Sequence, residues 1–192
     1  MLRDLLKQAT TNDHTELEKA MFVNEIMDNT LSIDKYKKII TANYIVHKAF
    51  EEFLTKNLSK PVADKLDLQN RLKLPALKKD VKDLKLEEPS QPKNANIIFE
   101  KNDAEILGAM YVLEGATLGG KVILSKLKKN LNFPEPKPAF HYYNLYGENL
   151  ISNWQKFCAV INEQPEENNA AVINGAKKMF AYIFSTMQNI NG

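Results

Sequence analysis

Apolar side chains recur every three or four residues through most of this 192-residue sequence, which is the spacing of one face of an α-helix. Five long segments carry the pattern, at residues 2–27, 33–58, 103–130, 148–162 and 168–189. Prolines interrupt it between residues 59 and 96, where only short helices are predicted, at 66–72 and 81–86. No alternating pattern of strands and no internal repeat is present. The sequence therefore predicts an all-α fold, and its length suits one domain over residues 1–192.

Four of the seven glycines fall within the predicted helix at 103–130, at Gly108, Gly115, Gly119 and Gly120. Each interior glycine costs a helix about 0.5–1 kcal/mol relative to alanine, so something must offset that cost. Either a tight crossing with another helix or close approach to a flat ligand would do so. Adjacent glycines also predict a kink. Because Glu114 interrupts the apolar run and the run is short, we interpret it as a core helix rather than a membrane span.

Composition narrows the function classes. The chain is 44% hydrophobic and 26% charged, with a net charge of only +2, which predicts no nucleic-acid partner. The N-terminus has no apolar core of signal-peptide length. Cys158 is the only cysteine, so neither an internal disulfide nor a cysteine-based metal cluster can form. These features predict a cytoplasmic protein with no membrane partner.

Two histidines lie on predicted apolar helix faces. His14 precedes Leu17 by three residues, which predicts a buried position, and Glu18 follows one helical turn later. A buried histidine beside a carboxylate suits either a metal ligand or a hydrogen-bonded core residue. His47 is a rival ligand on the helix at 33–58, although the aromatic residues around it favour core packing. His141 is most simply interpreted as a loop residue.

Two segments resemble the heme oxygenase family, most closely its bacterial, biliverdin-producing branch. LKQATTNDHTELE at residues 6–18 is similar to the family's proximal-helix motif, and YVLEGATLGG at residues 111–120 is similar to its distal-helix motif. Looser similarity extends over most of the remaining chain and is weakest at residues 60–96. The resemblance implies a single-domain helical bundle of the heme oxygenase-like type, with heme sandwiched between a proximal and a distal helix.

On the proximal side, the resemblance implies that His14 is the heme-iron ligand and that Glu18 orients its imidazole. Lys7 falls where the family places a basic residue facing a heme propionate. Lys156 falls near a second such position. Both lysines could act as point charges against a carboxylate.

On the distal side, the motif residues implied to lie against heme are Tyr111, Gly115, Ala116, Thr117, Gly119 and Gly120. The glycines would let the backbone approach the ring. Animal members carry an aspartate at the position of Ala116, where it anchors a water network. The hydroxyl of Thr117 or backbone carbonyl groups would hold such waters here.

The activity implied by the resemblance is oxidative cleavage of heme b to biliverdin, carbon monoxide and ferrous iron, with heme as both cofactor and substrate. Electrons would come from a ferredoxin or an NAD(P)H-dependent reductase, because the chain has no GxGxxG motif and too few cysteines for an iron–sulfur cluster.

Three other functions remain open at this point. One is a non-catalytic heme carrier of the same fold, which the departure at Ala116 favours. Another is a thiaminase-like all-α enzyme that uses Cys158 as its nucleophile, although the apolar neighbours of Cys158 favour an inert packing thiol. The third is a helical interaction module in which His14 and the glycines only pack the core.

Overall fold

The computed structural model describes residues 2–90 and 99–191, and this part of the chain contains helices and no strand. In chain order the α-helices are α1 (Leu2–Ala9), α2 (Thr11–Ala20), α3 (Val23–Met27), α4 (Ile33–Asn57), α5 (Lys60–Leu66), α6 (Leu74–Asp83), α7 (Asp103–Ala116), α8 (Gly120–Lys129), α9 (Leu150–Asn162) and α10 (Asn169–Asn191). The prediction of an all-α fold is confirmed.

The first predicted helix is three helices rather than one. Thr10 separates α1 from α2 with φ −117°, and its hydroxyl donates a hydrogen bond to the carbonyl oxygen of Leu6 at 2.8 Å. Such side-chain bonds to the preceding turn compete with regular helix and bend it. Phe22 then adopts a left-handed conformation, with φ +57°, which ends α2 before α3 begins. The prediction of a continuous helix over residues 2–27 was therefore wrong.

The second predicted helix is confirmed as α4. The hydroxyl of Ser32 accepts the N–H of Lys35 at 3.2 Å, so Ser32 rather than Thr30 caps the helix. Its inner face supplies some of the largest fully buried side chains, including Tyr36, Tyr44 and Phe50. This face packs against α6 and α10.

The short helix predicted at 66–72 is present as a 3₁₀ turn, whereas the one predicted at 81–86 lies earlier in the chain, and a further helix precedes both. In chain order these elements are α5, a 3₁₀ turn at Leu68–Arg71 and α6. Pro61 and Pro75 each occupy the first turn of an α-helix, where proline is tolerated because its missing N–H has no partner there anyway. Proline thus starts these helices instead of breaking them. Residues 91–98 lie outside the described part.

The glycine-rich helix changes its winding at its glycines, where a kink is predicted, and the kink itself stays a prediction. It runs as α7, narrows to a 3₁₀ turn at Thr117–Gly119 and continues as α8. We call Glu114 to Gly120 the bend. At the N-terminus of α7 the side chain of Asn102 accepts the N–H of Glu105, so Asn102 is the cap. The carboxylate of the next residue, Asp103, accepts the backbone N–H of Ser59 at 2.8 Å.

Helix α7 packs most extensively on α10, and two glycines permit their backbones to touch. A Cβ atom on Gly108 would lie 1.9 Å from the carbonyl oxygen of Val172. A Cβ atom on Gly175 would lie 2.0 Å from the carbonyl oxygen of Glu105. The tight-crossing interpretation therefore holds for Gly108.

The length argument against a membrane span was wrong. Asp103–Lys129 covers 27 residues with a mean hydropathy of 1.3 over its most apolar stretch, which is long and apolar enough to cross a bilayer. Half of that stretch is buried within the protein. Its packing against α10 accounts for its apolar character, and the absence of a membrane partner stays a prediction.

Replacing Gly108 with alanine is expected to lower the free energy of unfolding by about 3 kcal/mol, because the new methyl group overlaps a backbone carbonyl that cannot rotate away. Gly119→Ala is the matched control in the same helical stretch. Its Cβ would meet only a flexible side-chain atom at 3.7 Å, so it should change stability by less than about 1 kcal/mol. Urea unfolding of both variants measures the difference, and equal midpoints would contradict the crossing.

Candidate functional site

His14 is exposed rather than buried. Its side chain is 61% accessible, and no residue of α2 is fully buried. This helix contacts α10, and its Leu17 packs against the core while staying partly exposed. The prediction of a buried histidine was wrong. The ring of Phe180 on α10 lies edge-on at 6.2 Å between centroids, which supports the imidazole from one side.

The two ring nitrogens of His14 differ in their surroundings. Nδ1 lies 3.6 Å from Oε2 of Glu18, which is longer than a hydrogen bond but close enough to favour an N–H on that side of the ring. Within residues 2–90 and 99–191 the structure gives Nε2 no hydrogen-bond partner. This arrangement leaves Nε2 able to bind a metal.

The segment around α2 and α3 is tied to α8. Nζ of Lys126 donates to the carbonyl oxygen of Met27 at 2.6 Å. Nδ2 of Asn130 donates to the carbonyl oxygen of Leu31 at 2.8 Å. Because α2 and α7 also pack on the same partner, α10, the helix of His14 and the glycine-rich helix are held from two directions.

The glycines of the bend differ in what surrounds them. A Cβ on Gly115 would come no closer than 3.8 Å to the ring of Trp154. On Gly119 it would come no closer than 3.7 Å to Ile123, and both glycines are partly exposed. Helix packing does not require either glycine. Leu118 and Val122 beside them are 37% and 53% exposed, so this stretch leaves apolar side chains in contact with water.

Gly120, unlike Gly115 and Gly119, is buried and packs against another part of the protein. A Cβ there would lie 3.2 Å from the carbonyl oxygen of Tyr143, so contact with the loop at residues 142–147 accounts for this glycine. A cavity of about 20 Å³ lies beside it, between Thr117, Lys121 and Tyr143. That volume suits a water molecule, and His14 is not among its lining residues.

The other predicted distal residues are partly or fully accessible. Ala116 is exposed, while Tyr111 is half-buried with its ring 5.8 Å from that of Trp154. The hydroxyl of Thr117 donates to the carbonyl oxygen of Glu114 at 2.6 Å. Its hydrogen is therefore engaged, and only its oxygen lone pairs could receive a hydrogen bond from water.

Lys7 on α1 and Lys156 on α9 are both exposed. Neither ammonium group has an ion-pair partner within the described ranges, 2–90 and 99–191. Both charges therefore remain able to bind a carboxylate of a ligand.

His47 does not suit a metal ligand, because both of its ring nitrogens have partners. It is 1% exposed. Nδ1 lies 3.0 Å from Oε1 of Glu51, and Nε2 lies 3.4 Å from the hydroxyl of Tyr142. The geometry fits a neutral ring that donates to Glu51 and accepts from Tyr142. Burial lowers the pKa of His47 and outweighs the opposing effect of Glu51.

His141 belongs to a loop, as predicted, and a carboxylate fixes that loop. Asp80 is fully buried and accepts the N–H groups of His141 and Tyr142, each at 2.8 Å. Nε2 of His141 lies 3.2 Å from Oδ2 of Asp83. These bonds set the start of the loop that reaches the bend.

A buried ionic cluster behind the bend was missed by the sequence analysis. Glu114 is 2% exposed. Its Oε2 accepts from Nη1 of Arg71 at 2.8 Å, and its Oε1 accepts from Nζ of Lys73 at 2.5 Å. The hydroxyl of Tyr146 donates to the same carboxylate at 2.9 Å. We call these four residues the Glu114 cluster.

The carboxylate of this cluster is ionised. Burial alone would raise the pKa of Glu114, but the charge and hydrogen bond of Lys73 and the charge of Arg71 outweigh burial and lower it. Burial likewise opposes the charge on Lys73, and Glu114 reverses that effect and raises the pKa of the ammonium group. The two groups therefore stay charged as a pair.

One sequence signal could have located this cluster. Glu114 is an isolated acid in an otherwise apolar helical run, and a buried carboxylate requires a cationic partner. The charge run Lys78-Lys79-Asp80 is typical of a solvated face, which is correct for both lysines but wrong for Asp80, and the nearby Lys73 is also buried.

Comparison with known proteins places the chain in a family. The sequence model described as "Heme oxygenase" matches residues 1–189. The chain belongs to the heme oxygenase family. A heme oxygenase from Xanthomonas campestris pv. campestris is 31% identical over 160 residues, which cover 82% of this chain and 91% of that protein. Heme oxygenase 1 of Gallus gallus is 22% identical over 98% of this chain and 70% of its own length.

Solved structures share the fold of this heme oxygenase. The heme oxygenase from Leptospira interrogans has a TM-score of 0.79 at 19% identity, with 98% of each chain covered. The NO- and CO-bound heme oxygenase from Neisseria meningitidis has a TM-score of 0.79 at 21% identity over 99% of this chain and 92% of that one. Heme oxygenase-1 from Synechocystis in complex with heme has a TM-score of 0.76 at 16% identity, with 100% and 92% covered.

The alternative functions receive no support from these comparisons. The thiaminase-like reading also conflicts with the environment of Cys158, which is buried. Burial raises the pKa of its thiol, whereas a nucleophilic cysteine needs a lowered one. An interaction module does not account for a family match along nearly the whole heme oxygenase chain.

The neutral state of His47 predicts acid sensitivity. The pKa of His47 lies below its ordinary value of 6.5 in the folded protein, so the unfolded chain binds the proton first as the pH falls. Stability should therefore drop below about pH 6.5, with a slope of up to about 1.4 kcal/mol per pH unit, until the folded-state pKa is passed.

Urea unfolding between pH 8 and pH 5 measures this slope. His47→Gln should flatten the slope, because glutamine does not titrate and folding then no longer opposes protonation at this position. His14→Gln, which alters a largely exposed ring, should keep the wild-type slope. Equal slopes for the wild type and His47→Gln would show that other groups cause the acid sensitivity.

Proposed function

We propose that this heme oxygenase binds heme b between α2 and the bend, with His14 as the iron ligand, and cleaves it to biliverdin, carbon monoxide and ferrous iron. The observation that carries the proposal is the exposed imidazole of His14, with Nδ1 3.6 Å from Oε2 of Glu18 and no partner for Nε2 in residues 2–90 and 99–191. The full-length family match supplies the reaction class. The heme held by the Synechocystis relative supports the same ligand.

The donor chemistry of the proximal side fits heme iron. A neutral imidazole is a common axial ligand of heme, and a carboxylate near the other nitrogen fixes the tautomer and raises ligand basicity. Glu18 would have this role for His14. Phe180 would limit rotation of the ring through its edge contact.

The distal side fits a flat apolar group. Gly115 and Gly119 have no Cβ atoms, and neither is glycine because of helix packing. Leu118 and Val122 leave apolar surface in contact with water. A porphyrin face covering this stretch would remove that surface from water, which is favourable. Lys7 and Lys156 would neutralise the two propionates.

When bound, heme supplies the redox and oxygen chemistry and is itself the molecule consumed. The chain would contribute binding and shielding. His14 would hold the group, and the backbone at Gly115 and Gly119 would cover part of one face. Leu118 and Val122 would keep bulk water away from that face. Thr117 could accept a hydrogen bond from an ordered water, because its own hydrogen is committed to Glu114.

The electron source would be a separate protein. The sequence has a single cysteine and no GxGxxG motif, so a ferredoxin or an NAD(P)H-dependent reductase is proposed as the donor. The cytoplasmic location likewise stays a prediction.

The test of this function is a hemin titration of the purified protein followed by addition of ascorbate, or of a ferredoxin reductase system, in air. A one-to-one complex with a sharp Soret band that decays to a biliverdin spectrum is expected. A Soret band that only cycles between ferric and ferrous forms would favour the heme carrier. A featureless titration would exclude heme as the ligand.

His14→Ala should abolish the wild-type Soret band and weaken hemin binding at least about tenfold, which corresponds to 1.4 kcal/mol, because the axial nitrogen is lost. His141→Ala is the matched control, since it removes only the imidazole contact with Asp83 and keeps the backbone N–H that Asp80 accepts. Optical titration of both variants decides the assignment. If the two variants bind hemin alike, His14 is not the ligand.

Gly119→Leu should weaken hemin binding. It should leave the free energy of unfolding of the ligand-free protein within about 1 kcal/mol of wild type. The added side chain has room in the protein alone but would project from the surface proposed to cover the ring. Ser125→Leu, at an exposed position on α8, controls for added apolar surface. Unchanged hemin affinity in Gly119→Leu would argue that this stretch does not face heme.

A further inference from the structure

We propose that Lys73 is a positioning residue, which acts through Glu114 to fix the geometry of the bend that the reaction requires. Lys73 lies on the segment between the 3₁₀ turn at Leu68–Arg71 and α6, and the bend is remote from it in sequence. The inference rests on the proposed function, because the bend matters for the reaction only if it lies against heme.

Glu114 joins the cluster to the bend directly. The backbone N–H of Thr117 is directed at the carbonyl oxygens of Glu114 and Gly115, and the hydroxyl of Thr117 donates to the carbonyl oxygen of Glu114 at 2.6 Å. The carbonyl of Glu114 is therefore an acceptor at the start of the 3₁₀ turn. Holding the side chain of Glu114 also holds the start of that turn.

Lys73 is rigidly placed to do this. Its Nζ donates to the carbonyl oxygen of Arg71 at 3.1 Å, to Oε1 of Glu114 and to the hydroxyl of Tyr146 at 3.3 Å. Its backbone N–H donates to Oε1 of Glu51 at 2.7 Å. Glu51 belongs to the long helix α4, so this hydrogen bond fixes the backbone of Lys73 to a core helix.

Charge neutralisation does not by itself explain Lys73. Arg71 already pairs with Glu114, and its remaining donors bind the carbonyl oxygens of Leu66 and Asn153. With Arg71 on Oε2 and Lys73 on Oε1, the carboxylate of Glu114 is held at both oxygens. One cation would be enough to neutralise the carboxylate of Glu114, so the second cation serves to fix its orientation.

The bend needs an external anchor because its own backbone is weak. Gly115, Gly119 and Gly120 all lie within or next to the turn, and glycine has the greatest backbone freedom. Gly115 and Gly119 also have no side chain with which to pack. Buried ion pairs are weak contributors to stability, and their better-attested role is to specify one arrangement.

The first test measures hydrogen exchange in the ligand-free full-length protein, so it does not depend on heme. In Lys73→Met the amides of residues 115–121 should exchange about tenfold faster or more, as a local opening, while those of α10 keep wild-type protection. Lys73→Arg, which keeps a cation, should restore most of the protection. Lys65→Met, which breaks the exposed pair of Lys65 with Glu163, is the matched control and should leave the bend unchanged.

Lys73→Met is suited to this test because Glu114 keeps Arg71 as a partner, so the fold should persist. Glu114→Gln provides a second route if Lys73→Met does not fold. If Lys73 acts through Glu114, adding Lys73→Met to Glu114→Gln should change exchange in the bend by less than about twofold, since coupled residues are not additive.

The second test uses the hemin complex. Lys73→Met should bind hemin with an affinity within about twofold of wild type, because His14 is untouched, but should lower kcat about tenfold or more, as expected when a hinge is loosened. The visible spectrum of the ferric complex should also differ from that of the wild type, and Lys73→Arg should restore both readouts.

Three results would overturn the inference. One is wild-type exchange in the bend of Lys73→Met. Another is acceleration spread equally over all helices, which would mean a general loss of stability. The third is exchange that changes in the bend while kcat and the spectrum do not. If the wild type binds hemin without turnover, the proposed function fails on its own, and the exchange data still decide whether Lys73 holds the bend.

Discussion

The close approach of α7 and α10 is the contact on which the other features depend. At Gly108 and Gly175 the two backbones come so near that a single methyl group on either would overlap a carbonyl oxygen of the other helix. This contact fixes where α7 lies, and α10 in turn supports α2. The exposed His14 and the bend are therefore positioned by one shared helix, and neither needs a direct contact with the other to be held in place.

The glycines of the distal helix have separate physical roles. Gly108 serves the helix crossing, and Gly120 allows the backbone of Tyr143 to approach. Gly115 and Gly119 serve neither purpose. The cost of a glycine in a helix is the same at each position, but what offsets it differs, and only the last two are glycines whose benefit would come from a ligand.

The Glu114 cluster combines charge and burial in an unusual place. Two cations and a tyrosine hydroxyl surround one carboxylate at the point where the helix changes its winding. Burying such charged groups costs desolvation free energy, and this cost is offset only if each polar atom has a hydrogen-bond partner. Here the partners come from distant segments of the chain, so the cluster forms only when the whole domain is folded.

The sequence by itself determined the helical class, the span of α4, and the two motifs that carry the family resemblance, because these depend on local periodicity and on residues a few positions apart. Tertiary structure decided the rest. The exposure of His14 depends on how α2 packs on α10, and the burial of Lys73 depends on a carboxylate 41 residues away. Periodicity reports which face of a helix is apolar, but only packing decides how deeply that face is covered, and only the folded chain brings Lys73 to Glu114.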